Sequence, residues 1–152
     1  MSNKVTLDSV DRDILFHLSQ DGRLTNVELA KRVGLTPPPC LRRVKRLEET
    51  GVITGYRAVI NPEAVGRGLD VLVAVEIYAQ DRKSFEEFEN TVASYEEVIE
   101  FRRMYGRPDY FLRVAVADHA AYEAFLTGKL SCLPAVLRLE SHLTMKELKA
   151  NP

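Results

Sequence analysis

Arg42, Arg43, Lys45 and Arg46 put four cations within five positions, directly after three consecutive prolines, Pro37, Pro38 and Pro39. Cations this dense are by themselves usually a solvated face, but on the third helix of a helix-turn-helix they suit an anionic polymer. An arginine fork can bind guanine O6 and N7 together, and a lysine or a second arginine can hold a phosphate. A second stretch, Tyr105-Gly106-Arg107-Pro108-Asp109-Tyr110, brings a carboxylate, a guanidinium and a glycine into one turn. Asp and Gly are ordinary turn residues. The same groups also suit a zwitterion, whose ammonium Asp109 would accept while the amides of Gly106 and Arg107 take its carboxylate. Leu133, Pro134 and Ala135 would serve either as its apolar wall or as core.

Other chemistries find little support. His17, His119 and His142 stand on separate segments, and Cys40 and Cys132 have no ligand-spaced neighbour, so no metal centre or disulfide framework is expected. No Ser-His-Asp set, Cys-His pair or phosphate-binding glycine loop is visible, and Glu86-Glu87 lie side by side on a helix exterior. No cofactor and no enzyme activity are expected. Cys40, beside Arg42 and Arg43, would be either a redox-sensitive thiol or a small buried filler, and the filler reading is preferred.

The elements that must position these residues follow from spacing. Asp8 precedes a stripe of Val10, Ile14, Leu15 and Leu18 that ends near Asp21-Gly22, a first helix. Thr25-Asn26-Val27-Glu28 is a capping box opening a second, which stops at Gly34. With Thr36 as cap, the prolines fall in the first turn of a third helix, where a missing N–H costs little. Residues preceding prolines resist helical ψ, so the start could slip toward Pro39. Leu41, Val44 and Leu47 form its expected apolar stripe. Three helices, the last one basic, make a helix-turn-helix whose third helix fits a major groove. Val52-Ile53 and Ala58-Ile60, around Thr54-Gly55-Tyr56, predict a winged hairpin with Arg57 directed at a phosphate.

After Asn61-Pro62 the pattern changes. Residues 1–61 hold ten Lys/Arg against seven Asp/Glu, and residues 62–152 hold eleven against fifteen, which divides a basic module from an acidic one. The expected organisation is a DNA-binding domain over 1–61, a linker over 62–68, and a second domain over 69–152. In the second domain a strand alternates Val71, Val73, Val75 and Ile77, Ser84 opens a helix, and strands span 98–105 and 110–117. A helix capped by Asp118 and a last strand through Leu137, Leu139, Ser141 and Leu143 complete β-α-β-β-α-β, a ferredoxin-like unit. The fold class is α+β. The N-terminus lacks an apolar signal core and no run approaches the roughly 18 apolar residues that cross a bilayer, so a cytoplasmic protein without a membrane partner is expected.

The segment from "DSVDRDILFHLSQDGRLTNVELAKRVGLTPPPCLRRVKRLEETGVITGYRAVINPEAVG" through "YGRPDYFLRV" resembles the Lrp/AsnC family of transcriptional regulators over nearly the whole chain. The resemblance implies double-stranded DNA as partner, with Thr36, Pro38, Arg42, Arg43, Lys45, Arg46 and Arg57 at the DNA interface. It also implies a homodimer, often built further into tetramers or octamers, and an amino-acid effector, leucine-like as first guess, near Tyr105, Gly106, Arg107, Pro108, Asp109, Tyr110, Leu133, Pro134 and Ala135. Two departures bear on these roles. Pro38 stands where many relatives carry a hydroxyl, and Arg107-Pro108 stands after the turn's glycine. An architectural DNA packer without an effector is the alternative function.

Overall fold

The computed structural model describes residues 6–78, 81–146 and 148; the outer ends of both expected domains lie outside them. The chain divides between Val59 and Ile60 into two compact units.

The described residues of the first unit form three helices. Helix α1 (Ser9–Gln20) is capped by Asp8 in a reciprocal box with Asp11, α2 (Asn26–Arg32) by the expected Thr25–Glu28 box, and α3 runs Pro37–Glu49. Ile14, Leu29, Ala30, Cys40 and Leu47 close the core between them. The turn joining α2 to α3 bends at Gly34, whose φ of +69° only glycine adopts without strain. The Asn26 side-chain Nδ2 donates to the Pro37 carbonyl at 2.8 Å, fastening the two helix starts together. Helix α3 begins at Pro37 itself and does not slip toward Pro39.

The two short strands expected over 52–60 are not formed. Residues 54–61 form no strand and pair with nothing as a ladder. Tyr56 folds back instead, its ring against Gly22 and its hydroxyl donating to Glu48 at 2.9 Å. Burial first, and then Glu48, push that phenol up to about 12.

The second unit has the expected β-α-β-β-α-β order: β1 (Leu69–Ile77), α4 (Arg82–Ala93), β2 (Val98–Arg103), β3 (Tyr110–Val116), α5 (His119–Phe125) and β4 (Val136–Leu143). Five π-helical residues, Leu126–Leu130, continue α5. All pairings in the sheet, ordered β2-β3-β1-β4, are antiparallel. Period-2 alternation sends Val71, Val73, Val75, Tyr110, Leu112, Val114 and Val116 to one face, where Phe88, Val92, Tyr122 and Phe125 cover them. Helix α4 starts two residues before Ser84, because Asp81 is the cap that accepts from the Ser84 amide. Residues 62–68, expected as a linker, pack within this unit: Glu63–Val65 form a 3-10 turn and Arg67 donates to the Glu96 carbonyl.

Candidate functional site

At about 100° per residue, positions 38, 41, 42, 45 and 49 of α3 share one face, and 40, 43 and 47 share the opposite one. The structure follows this wheel. Pro38, Leu41, Arg42 and Lys45 are exposed, and Cys40 and Leu47 are fully buried. Two expectations are therefore corrected. Leu41 is not part of the apolar stripe; it is 44% exposed, and Cys40 fills the core in its place. Arg43 is turned away from solvent-facing Arg42: its guanidinium donates to Asp8 at 2.7 Å and to Asp11 at 2.8 Å.

Among the described residues of this unit Asp11 is the buried charge, its side chain 1% exposed. Besides Arg43 it binds Arg46 and accepts from the Asp8 amide. Burial alone would raise its pKa, but the hydrogen bonds from Arg43, Asp8 and Arg46 outweigh it and hold the carboxyl below its usual range. Asp8 is lowered too, first by the Asp11 amide and then by Arg43. Two arginines one turn apart on α3 thus close on the N-terminal turn of α1 and fix how α3 is rotated. This geometry engages Arg43, expected at a base, in the placement of α3 against α1. Arg46 is also engaged there, although its side chain stays 46% exposed. A signal existed in the sequence: Arg43 lies three residues from Cys40 and four from Leu47, on the core side of the wheel.

Thr36 makes no side-chain cap bond. An N-cap oxygen accepts from the second or third helical amide, and here those positions are prolines. The first amide of α3 is Cys40's, donating to the Thr36 carbonyl at 3.3 Å. Arg57 is exposed on the extended segment that replaces the wing. Burial raises the pKa of the Cys40 thiol, which keeps it protonated and inert.

In the second unit, the turn residues and the 133–135 segment meet at the end of β1. The Asp109 carboxylate accepts the Ile77 amide at 2.8 Å, and the next amide, Tyr78's, donates to the Ala135 carbonyl at 2.7 Å. Asp109 therefore extends the ladder one step past its last backbone pair, Val75–Tyr110. Gly106 adopts φ +92° and Tyr105 is fully exposed. Tyr110 is fully buried and donates to Glu89 at 2.8 Å; burial, with Glu89 second, raises its pKa far enough to keep it a neutral phenol.

Leu133, Pro134 and Ala135 line a cavity of about 300 Å³ with Tyr78, Ser84, Glu87, Phe88 and Thr91 of the β1–α4 side. No residue of the 105–110 turn lines it. Arg107 and Pro108 border a different hollow of about 230 Å³ with Ala74, Glu76, Arg138 and Glu140, on the face without helices. The expected effector residues thus fall into two groups. Tyr78, Ser84, Glu87 and Thr91 line the cavity unforeseen by the sequence, because only the tertiary fold brings them beside residue 133.

A helix-turn-helix that presents a basic helix, joined to an acidic α+β unit with a single-molecule cavity, defines a DNA-binding regulator with a ligand-sensing part. Residues 7–54 match the winged helix-turn-helix DNA-binding family and residues 70–152 the Lrp/AsnC ligand binding domain. The leucine-responsive regulatory protein of Escherichia coli K12 is 43% identical over 143 residues, 94% of this chain and 87% of that protein. A Neisseria meningitidis transcriptional regulator solved with L-methionine superposes with a TM-score of 0.89 at 38% identity, over 96% of this chain and 94% of that one. A feast or famine regulatory protein from M. tuberculosis, also complexed with L-methionine, gives 0.79 at 36%, over 96% and 97%. The chain belongs to the Lrp/AsnC family of transcriptional regulators. It is a DNA-binding regulator and not an enzyme. Among the described residues, no helix is long and apolar enough to cross a membrane.

Proposed function

We propose that α3 enters the major groove with Pro38, Leu41, Arg42 and Lys45 facing the bases and backbone, and that a free amino acid bound by the second unit tunes this binding in the cytoplasm. The observation that carries the reading is the division of labour on α3. Arg43 and Arg46 are engaged with α1, while Arg42 and Lys45 remain exposed on the face that carries no core residue. Arg42 lies in the leading half of the helix and suits a guanine edge; Lys45, Thr36 and Arg57 suit phosphates.

For the effector, the cavity beside Leu133–Ala135 offers apolar walls from Phe88 and Leu133 and polar groups from Ser84, Glu87 and Thr91. A zwitterion leaving water needs both ends satisfied, so a cavity mixing these groups suits it better than a purely apolar one. The leucine-responsive and methionine-bound relatives favour leucine or methionine. Asp109 fixes the end of β1 next to this site by accepting the Ile77 amide. The open face of the sheet, with Leu72 and Phe111 among the ion pairs Asp70–Arg113 and Glu100–Arg102, supports self-assembly.

The test is DNA binding of the full chain at two salt concentrations, with and without each amino acid. Arg42→Ala should relax preference at one base position at a cost of about 1–3 kcal/mol, and Lys45→Ala should weaken all sequences alike and lower the salt slope by about one. Unchanged affinity in both variants would remove α3 from the interface. An affinity that no amino acid alters would remove the effector.

A further inference from the structure

The leading turn of a recognition helix reaches deepest into the groove, and here it offers almost no hydrogen-bond donor. Pro37, Pro38 and Pro39 occupy its first three positions and carry no N–H. The first amide is Cys40's, which is engaged with the Thr36 carbonyl. The usual amide cradle of a helix N-terminus, which takes a phosphate, is therefore absent. What the turn does present is carbon: the exposed Pro38 ring and, three residues on, the side chain of Leu41, 44% exposed beside Arg42 and Lys45. A leucine is usually withdrawn into the core, yet this one stands on the cationic face because Cys40, Leu47 and the Arg43–Asp11 ion pair occupy the buried side. A side chain flanked by two cations has an anionic surface as its natural partner. In a DNA major groove the one apolar feature on a base edge is the C5-methyl of thymine.

We propose that Leu41, with Pro38 behind it, is a specificity-determining residue that reads a thymine methyl, so that at least one step of the preferred site is fixed by apolar contact. The proposal rests on the reading that this face of α3 enters the groove. No hydrogen bond is involved, so the discrimination is between thymine and any base lacking that methyl.

The experiment selects preferred duplexes from a random-sequence pool with the full chain. It then replaces each thymine of the best duplex, one at a time, by uracil, which deletes only the methyl. Wild type should lose about fourfold in affinity at one or two positions, the worth of one buried methyl-sized group. Leu41→Ala should show no loss at those same positions, with folding checked by its thermal midpoint. Leu41→Met, which keeps an apolar tip, should restore the uracil penalty. If no thymine-to-uracil change weakens wild-type binding, or if Leu41→Ala keeps the full penalty, the proposal is overturned. Failure of the underlying reading is distinguishable, because Arg42→Ala and Lys45→Ala would then leave affinity and salt slope unchanged on every duplex.

Discussion

Arg42 and Arg43 are neighbours of one type with opposite fates. One is exposed on the basic face, and the other is held by two carboxylates inside the unit. Alanine at the two positions should therefore fail differently. Arg43→Ala leaves Asp11 with Arg46 and the Asp8 amide, so the charge keeps partners, and losing the hydrogen bonds from a guanidinium 30% exposed should destabilise the fold by about 1.5–3 kcal/mol. A lowered thermal midpoint with unaltered base preference would support this. Arg42→Ala should leave the midpoint where it was. The pH behaviour follows from the lowered pKa of Asp11 and of Asp8. A carboxyl with a lower pKa in the folded chain stabilises it fully above the ordinary value of about 4, and that contribution is lost as pH falls below it. Asp11→Asn should be less stable than wild type at pH 7, and the difference should narrow as pH drops through that region in acid-titrated denaturant melts.

Elements were read from sequence with uneven success, and the reason is physical. Capping boxes and period-2 alternation are local, so α1, α2 and the four strands were legible to within a residue or two. The Ser84 start of α4 missed because Asp81 also places a carboxylate three residues before an amide. The two strands expected of the wing did not form, because short β-branched runs such as Val52-Ile53 satisfy strand propensity anywhere, and Tyr56 turns its hydroxyl to Glu48. Breaking that contact should matter. Tyr56→Phe keeps the ring against Gly22 and loses one exposed hydrogen bond, so it should cost under about 1 kcal/mol, whereas Tyr56→Ala should cost two or three times as much by unfolding curves. The cavity proposed for the effector was half legible. Leu133 to Ala135 were offered as apolar wall or core, but Ser84, Glu87 and Thr91 are spaced for a helix face, and a helix face becomes a cavity wall only when another segment crosses it.

At the scale of the whole molecule, the charge division places a surplus of cations before residue 62 and of anions after it, so that DNA is attracted by one unit and repelled by the other. Assembly of the acidic units through the open sheet face would then carry several basic units at once. Leu72→Asp with Phe111→Asp should lower the assembly state seen in sedimentation while leaving the covered face of the sheet, and hence the fold, intact. The end of β1 has a further consequence. The amides of Ile77 and Tyr78 point to opposite sides of one strand, the first onto Asp109 and the second onto Ala135. Those two protons are adjacent labels, one for each of the loops that sequence reasoning grouped into a single site. A ligand that enters beside Leu133 and leaves the other loop undisturbed should slow solvent exchange at Tyr78 alone, and one that grips both loops should slow exchange at both. Two neighbouring resonances in a nitrogen-resolved spectrum, followed during an amino-acid titration, would tell these cases apart before any ligand complex is crystallised.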